Sequence, residues 1–187
     1  EDKLKPDAPR AVSLLKESGV RKTVLLTGDK KETGERVGKA VGADEIHCGL
    51  LPQDKVKYVS KLKNDVPKGR KLLFVGDGIN DAPSLAYADV GVAMGAIGSD
   101  AAIEAADVVI MDDDLKSLSK AIKISKKTIL IANENIAFAL GVKFFFLITG
   151  ALGITNLWGA VFADVGVAMI AVLNAFRAMK YNPQSKE

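Results

Sequence analysis

Two glycine-aspartate turns and one lysine supply residue types that suit phosphoryl chemistry. The first turn reads Thr27-Gly28-Asp29 and the second Gly76-Asp77-Gly78-Ile79-Asn80-Asp81. Glycine at such turns lets backbone approach a ligand closely and leaves N–H groups free for an anion. Asp77 and Asp81 flank a turn that enters a helix, so both can face one crevice. With the amide oxygen of Asn80 they make a hard-oxygen set suited to Mg²⁺. Lys55, at the front of a helix opened by Pro52, can hold a phosphoryl oxygen, and Thr27 adds a hydroxyl. A hydroxyl, a lysine and a magnesium-binding acid pair together point to phosphoryl transfer. Singly the residues allow plainer roles: Asp29 is also a good helix N-cap, and a lone lysine is usually solvated. The run GDGINDAPSLAYADVGVAM is different, because its acids and turn glycines make poor packing material.

A second pair of ionisable residues lies in apolar surroundings. Lys143 interrupts a stretch otherwise free of charge from Ile136 to Ile154, and Asp164 interrupts residues 157–176. As helices these segments extend about 30 Å, enough to cross a bilayer. Counted from the connection at Thr155-Asn156, Lys143 lies about twelve residues in and Asp164 about eight, an offset of roughly 6 Å that a lysine side chain can bridge. Charge in hydrocarbon is costly without a partner, and intramembrane ionisable residues mark ion paths. Asp164 is therefore expected to be a ligand of a transported cation. Lys143 would be its counter-charge, displaced on loading and returning on release. A purely structural ion pair is the alternative. Met169 is read as packing, since one thioether is a weak hook for Zn²⁺.

The elements that position the first set alternate. Short apolar strands are expected at 23–27, 71–76, 90–94 and 107–111, with helical patterns near 7–18, 32–41, 53–64, 81–87 and 99–105. Uninterrupted apolar strands separated by helices imply an α/β fold, a parallel sheet with helices on both faces. Right-handed crossovers align the strand carboxyl ends along one edge, where sites form. The expected organisation is an α/β domain over 1–115, a basic amphipathic connecting helix over 116–134, an apolar helical hairpin over 135–180 and a tail over 181–187. Lys116, Lys120, Lys123, Lys126 and Lys127 precede the first span, and Arg177, Lys180 and Lys186 follow or close the second. By the positive-inside rule both ends are cytoplasmic and the turn lies outside. Small residues such as Gly141, Gly150, Gly159 and Gly166 suit close packing of membrane helices. Two buried helices of a soluble core are the alternative.

The net charge of +3 averages two unlike parts, and no basic face carries interleaved aromatics, so nucleic acid is not an expected partner. One cysteine, Cys48, excludes an internal disulfide and fits a reducing cytosol. It adjoins the only histidine, His47, and no other Cys or His completes a zinc site. The pair is read as a strand end before a loop. No apolar leader opens the chain.

TGD at 27–29, Pro52 followed by Lys55, GDGIND at 76–81 and ADVGVAM at 88–94 resemble the phosphorylation domain of P-type ATPases. That family is a branch of the haloacid dehalogenase superfamily, and the likeness runs from about residue 6 to residue 180. The resemblance implies a haloacid dehalogenase-like fold with ATP and Mg²⁺ as cofactors. It places Thr27 and Lys55 at the phosphoryl group, Asp77 on Mg²⁺ with Asp81 and Asn80 supporting, and Gly28 and Asp29 at a nucleotide-facing hinge. The family's nucleophilic aspartate, in Asp-Lys-Thr-Gly-Thr, has no counterpart here, so the chain resembles a C-terminal piece. Its expected partners are membrane lipid, a metal cation and the preceding parts of the same pump. The tail resembles the zinc-, cadmium- and lead-exporting branch, which has a lysine in the penultimate span and an acid motif in the last. Here these are Lys143 and then Asp164, Gly166, Val172, Leu173, Asn174 and Arg177. The Tyr-Asn and Met-Ser-Ser signatures of copper exporters are missing from both spans. The resemblance thus implies a Zn²⁺/Cd²⁺/Pb²⁺ exporter of a bacterial inner membrane. A phosphatase of the same superfamily with a membrane anchor, and a catalytically inert membrane adaptor, are the competing readings.

Overall fold

In the computed structural model the described residues are 4–76, 79–95, 100–112 and 114–183. They divide into two compact units, Glu1–Ser119 and Lys120–Glu187.

The first unit alternates helix and strand. Its elements are α1 (Ala8–Glu17), β1 (Val24–Leu26), α2 (Lys31–Val41), β2 (Glu45–His47), α3 (Pro52–Asp65), β3 (Leu73–Gly76), a 3₁₀ turn (Ile79–Asp81), α4 (Ala82–Tyr87), β4 (Val90–Met94), α5 (Asp100–Ala105) and β5 (Val108–Ile110). All strand pairs are parallel: β1 with β2, and β3-β4-β5 in that order. Consecutive parallel neighbours joined through helices are the βαβ arrangement expected of the sequence. β2 is the strand that apolar patterning did not reveal. It holds three residues, Glu45, Ile46 and His47, and only Ile46 is an aliphatic of the usual strand type. Ile46 is covered by α2, where an added Cβ on Gly38 would fall 2.4 Å from its Cδ1.

Three Ala-Asp dipeptides start three strands by one device. Asp44, Asp89 and Asp107 immediately precede β2, β4 and β5. Each carboxylate accepts the backbone N–H of a residue at or near the start of the neighbouring strand: Thr23 at 2.8 Å, Leu72 at 2.9 Å and Gly91 at 2.8 Å. The aspartate N–H donates back to the same residue's carbonyl, at 2.9, 3.1 and 2.9 Å. Ladder ends leave backbone groups orphaned, and a side-chain acceptor satisfies one without another strand residue. Between sheet and helices, Val59 of α3, Leu85 of α4, Val92 and Ala93 of β4 and Ala102 of α5 are at most 1% exposed. Burying one Leu or Val side chain so fully contributes about 1.5–3 kcal/mol.

A single helix, α6 (Leu115–Ala151), runs without interruption through the sequence positions assigned to a connecting helix and a first apolar span. The second unit comprises its later part, a turn, α7 (Leu157–Val161), a π turn (Phe162–Gly166) and α8 (Val167–Met179). The turn is closed by Gly153, at φ +72°, and by the Ile154 N–H on the Thr149 carbonyl at 2.9 Å. Asn156 then caps α7 by accepting the Gly159 N–H at 3.2 Å. Helices Leu115–Ala151 and Leu157–Met179 are long and apolar enough to cross a membrane, and only 6% and 11% of their most apolar stretches is buried. Soluble core helices would be covered; Phe144, Leu147, Trp158 and Leu173 are instead open.

Candidate functional site

In the first unit the structure gathers the candidate residues into two hydrogen-bonded pairs. Thr27 directly follows β1. Its Oγ1 donates to Asp29 Oδ2 at 3.0 Å and accepts the Asp29 N–H at 3.1 Å. The turn is stitched to the loop after β2, where Leu50 N–H donates to the Thr27 carbonyl at 3.1 Å and Gly49 N–H to the Asp29 carbonyl at 2.8 Å. An added Cβ on Gly28 would lie 3.2 Å from the Leu50 carbonyl oxygen, so the residue marks a close backbone approach.

The second pair joins α3 to the end of β3. Pro52 opens α3 and the Asp54 carboxylate accepts the Leu51 N–H at 3.4 Å, which starts the helix and sets Lys55 in its first turn. Lys55 Nζ donates to Asp81 Oδ1 at 2.7 Å, with side chains 17% and 13% exposed. Partial desolvation strengthens such a pair relative to one in open water. Asp81 folds back over Gly76, the last described residue of β3, where an added Cβ would meet the Asp81 Cβ at 2.7 Å. Asn80 is exposed on the 3₁₀ turn. Asp77, expected as the principal Mg²⁺ ligand, lies outside the described residues, as does Gly78. The donor chemistry fits Mg²⁺: Lys55 occupies one oxygen of Asp81, and the second, together with the amide oxygen of Asn80, is of the hard type the ion takes.

His47 ends β2 and stacks on Tyr58 at 4.3 Å between ring centroids. The Cys48 sulfur packs beside Gly34, whose added Cβ would meet it at 2.4 Å. Among the described residues no cluster of three His, Cys, Asp or Glu side chains could hold a metal ion.

In the second unit Lys143 and Asp164 meet, with Lys143 Nζ 3.2 Å from Asp164 Oδ1 and side chains 57% and 76% exposed. They line an open groove of about 500 Å³ with Phe146, Leu147, Gly150 and Ala163. Asp164 is carried on the π turn, a feature the sequence reading did not foresee. Single π turns inside α-helices are frequent at functional positions. Small residues make room for aromatic rings here. A Cβ on Gly159 would come 2.8 Å from Phe146, and one on Gly166 2.6 Å from Phe162. Glu134 and Asn135 also went unassigned in the sequence. Both make polar contacts to α8, and the signal was their place where charge gives way to the apolar run.

A family model for haloacid dehalogenase-like hydrolases matches residues 1–89. The chain is 55% identical over 179 residues to a cadmium, zinc and cobalt-transporting ATPase of Bacillus subtilis, covering 96% of this chain and 26% of that protein. It is 51% identical to a zinc-transporting ATPase of Synechocystis, covering 96% of this chain and 25% of that one. A crystal structure of a zinc-transporting PIB-type ATPase in an E2.Pi state superposes with a TM-score of 0.86 at 40% identity, over 95% of this chain and 28% of that one. Fold and sequence thus define a haloacid dehalogenase-like domain followed by two apolar helices, homologous over nearly its whole length to P-type ATPases. Its similarity is to members named for zinc and cadmium transport, and the chain spans about a quarter of the length of these curated relatives.

Proposed function

We propose that the chain is the C-terminal part of a longer ATP-driven exporter of a divalent metal, Zn²⁺ or Cd²⁺ with Pb²⁺ as a further cargo, in a bacterial inner membrane. The observation that carries this reading is the Lys143–Asp164 contact at 3.2 Å between two apolar stretches, 136–154 and 157–176, that hold no other charge. An ion pair held within such segments is expensive to maintain and marks an ion path. The metals named for the relatives support the cargo, and the lysine-rich start of α6 supports a cytoplasmic α/β domain with the 152–156 turn outside.

In the cytoplasmic domain Thr27 and Lys55 bind the phosphoryl group of an aspartyl phosphate whose aspartate belongs to a preceding part of the pump. Asp81 holds the Lys55 ammonium in place, so the charge is oriented before the phosphoryl group arrives. Gly28 and Asp29 face the nucleotide. Asp77, Asp81 and Asn80 would hold Mg²⁺, which would supply positive charge to offset that of the phosphoryl group. In the membrane, Lys143 neutralises Asp164 while the site is empty. An incoming cation displaces the ammonium, and the ammonium's return prevents rebinding after release. Changes at the phosphoryl site reach this pair through α6, a two-state coupling.

The test is metal-stimulated ATP hydrolysis by the full-length pump. Asp164→Ala is expected to abolish stimulation by Zn²⁺ and Cd²⁺. Lys143→Ala is expected to lower the half-activating metal concentration and to slow turnover about tenfold, because the cation binds without a competitor and leaves slowly. An Asp164→Ala pump that still responds to metal would overturn the reading, and a Lys143→Ala pump with unchanged kinetics would reduce the pair to structure.

A further inference from the structure

At the end of the hairpin away from the 152–156 turn, four side chains form one directed hydrogen-bond relay between α6 and α8. Arg177 Nη1 donates to Glu134 Oε2 at 3.2 Å and to Asn174 Oδ1 at 2.8 Å. Asn174 Nδ2 donates to Asn135 Oδ1 at 2.8 Å, and Asn135 Nδ2 donates to the Ala171 carbonyl at 3.1 Å. The direction is forced from both ends. A guanidinium only donates and a carbonyl only accepts, so each amide between them has a single workable orientation. Flipping either asparagine would set donor against donor and acceptor against acceptor. Such a relay selects one rotation and one axial register of α8 on α6, as a lone buried asparagine does in a coiled coil.

We propose that Asn135 and Asn174 are positioning residues for the Lys143–Asp164 pair, acting by fixing the register at which the two helices meet. The inference rests on the reading of Asp164 as cargo ligand. From the clasp, Lys143 lies about 12 Å along α6 and Asp164 about 15 Å along the antiparallel helix at the ordinary α-helical rise. The π turn at Phe162–Gly166 overlaps the far end of that second run, and its wider turn takes up part of the difference. A slip of one residue at the clasp would shift Asp164 by about 1.5 Å and turn it by roughly 100°, away from the ammonium. In lipid there is no hydrophobic drive between helices, so interhelical hydrogen bonds act beside close packing in fixing such a register.

The experiment is a double-mutant cycle in the full-length pump in membrane vesicles, reading the zinc concentration for half-maximal ATPase activity. Phosphoenzyme formation from inorganic phosphate without zinc serves as the folding control. Asn174→Ala is expected to act like Lys143→Ala, lowering the half-activating concentration several-fold and slowing turnover, and to have no further effect in the Lys143→Ala background. A structural loss alone would raise that concentration or leave it unchanged, and would multiply with Lys143→Ala. Either of those results overturns the proposal. Asn135→Ala removes the clasp from the other helix and is read in the same way, so a folding failure of the first variant leaves the question decidable. Asp164→Ala runs alongside. If it retains zinc stimulation, the cargo-ligand reading fails and the clasp proposal with it. If it abolishes stimulation while Asn174→Ala and Lys143→Ala multiply, the clasp proposal fails alone.

Discussion

Lys55 and Asp81 make the shortest polar contact among the described residues of the proposed phosphoryl site, at 2.7 Å and largely shielded from water. Removing the ammonium takes away the positive charge proposed to meet the phosphoryl group and leaves a shielded carboxylate behind. Lys55→Ala is therefore expected to cut phosphoenzyme turnover about 10²-fold or more, the usual cost of losing one preorganised electrostatic contact. Rapid-quench measurement of phosphoenzyme decay checks it. Asp44 supplies a different kind of residue-scale test. Its carboxyl is held down to about 2, first by the hydrogen bond from Lys16 and then by the backbone and hydroxyl of Thr23. A carboxyl depressed in the folded state adds stability above its unfolded value, near 3.9, and loses it as pH falls through the folded value. The stability gap between the parent and Asp44→Ala should therefore be full above about pH 5 and close by about pH 2, as followed by urea unfolding across that range.

The strands of the first unit depend on side chains that lie just outside them. Asp89 accepts the Leu72 N–H and receives Lys63 and Lys71, and these contacts hold its carboxyl below the usual range, with the Leu72 backbone bond the chief cause. Asp89→Ala would orphan that N–H at the joint between β3 and β4, one residue before the strand that ends at the proposed phosphoryl-site turn. The expected destabilisation is about 1–2 kcal/mol, with Asp89→Asn milder because its amide oxygen can still accept. Thermal unfolding of the α/β domain measures it. The same device at Asp44 and Asp107 should respond in the same direction, since the geometry repeats.

At the scale of the whole molecule, the two units place opposite demands on their surroundings. The first closes a small apolar core and faces water with its charges. The second leaves rows of large apolar side chains uncovered along both helices. A hairpin that spans a bilayer should stay with membranes through alkaline carbonate and high salt and come out only with detergent. Release by carbonate would contradict membrane insertion. The Lys143–Asp164 contact also belongs to this scale, because it joins residues on two helices and depends on how those helices lie together.

Much of the α/β fold was legible from residue order alone: four of five described strands are apolar runs, and three of the helices around them start at prolines. β2 was not legible, because three residues carry no period and its pairing to β1 rests on Thr23 and Asp44 meeting across the chain. The contact of Lys143 with Asp164, as distinct from its role, follows from counting along two helices joined by a short turn. Local sequence can announce which residues are costly to bury and where a helix must stop, since those follow from hydration and backbone geometry. It could not announce that Asp81 folds over Gly76 onto Lys55, that Asp164 rides on a π turn, or that two asparagines lock the hairpin register. Those are decided by the third dimension, where the free energy of a polar group depends on which partner packing brings to it.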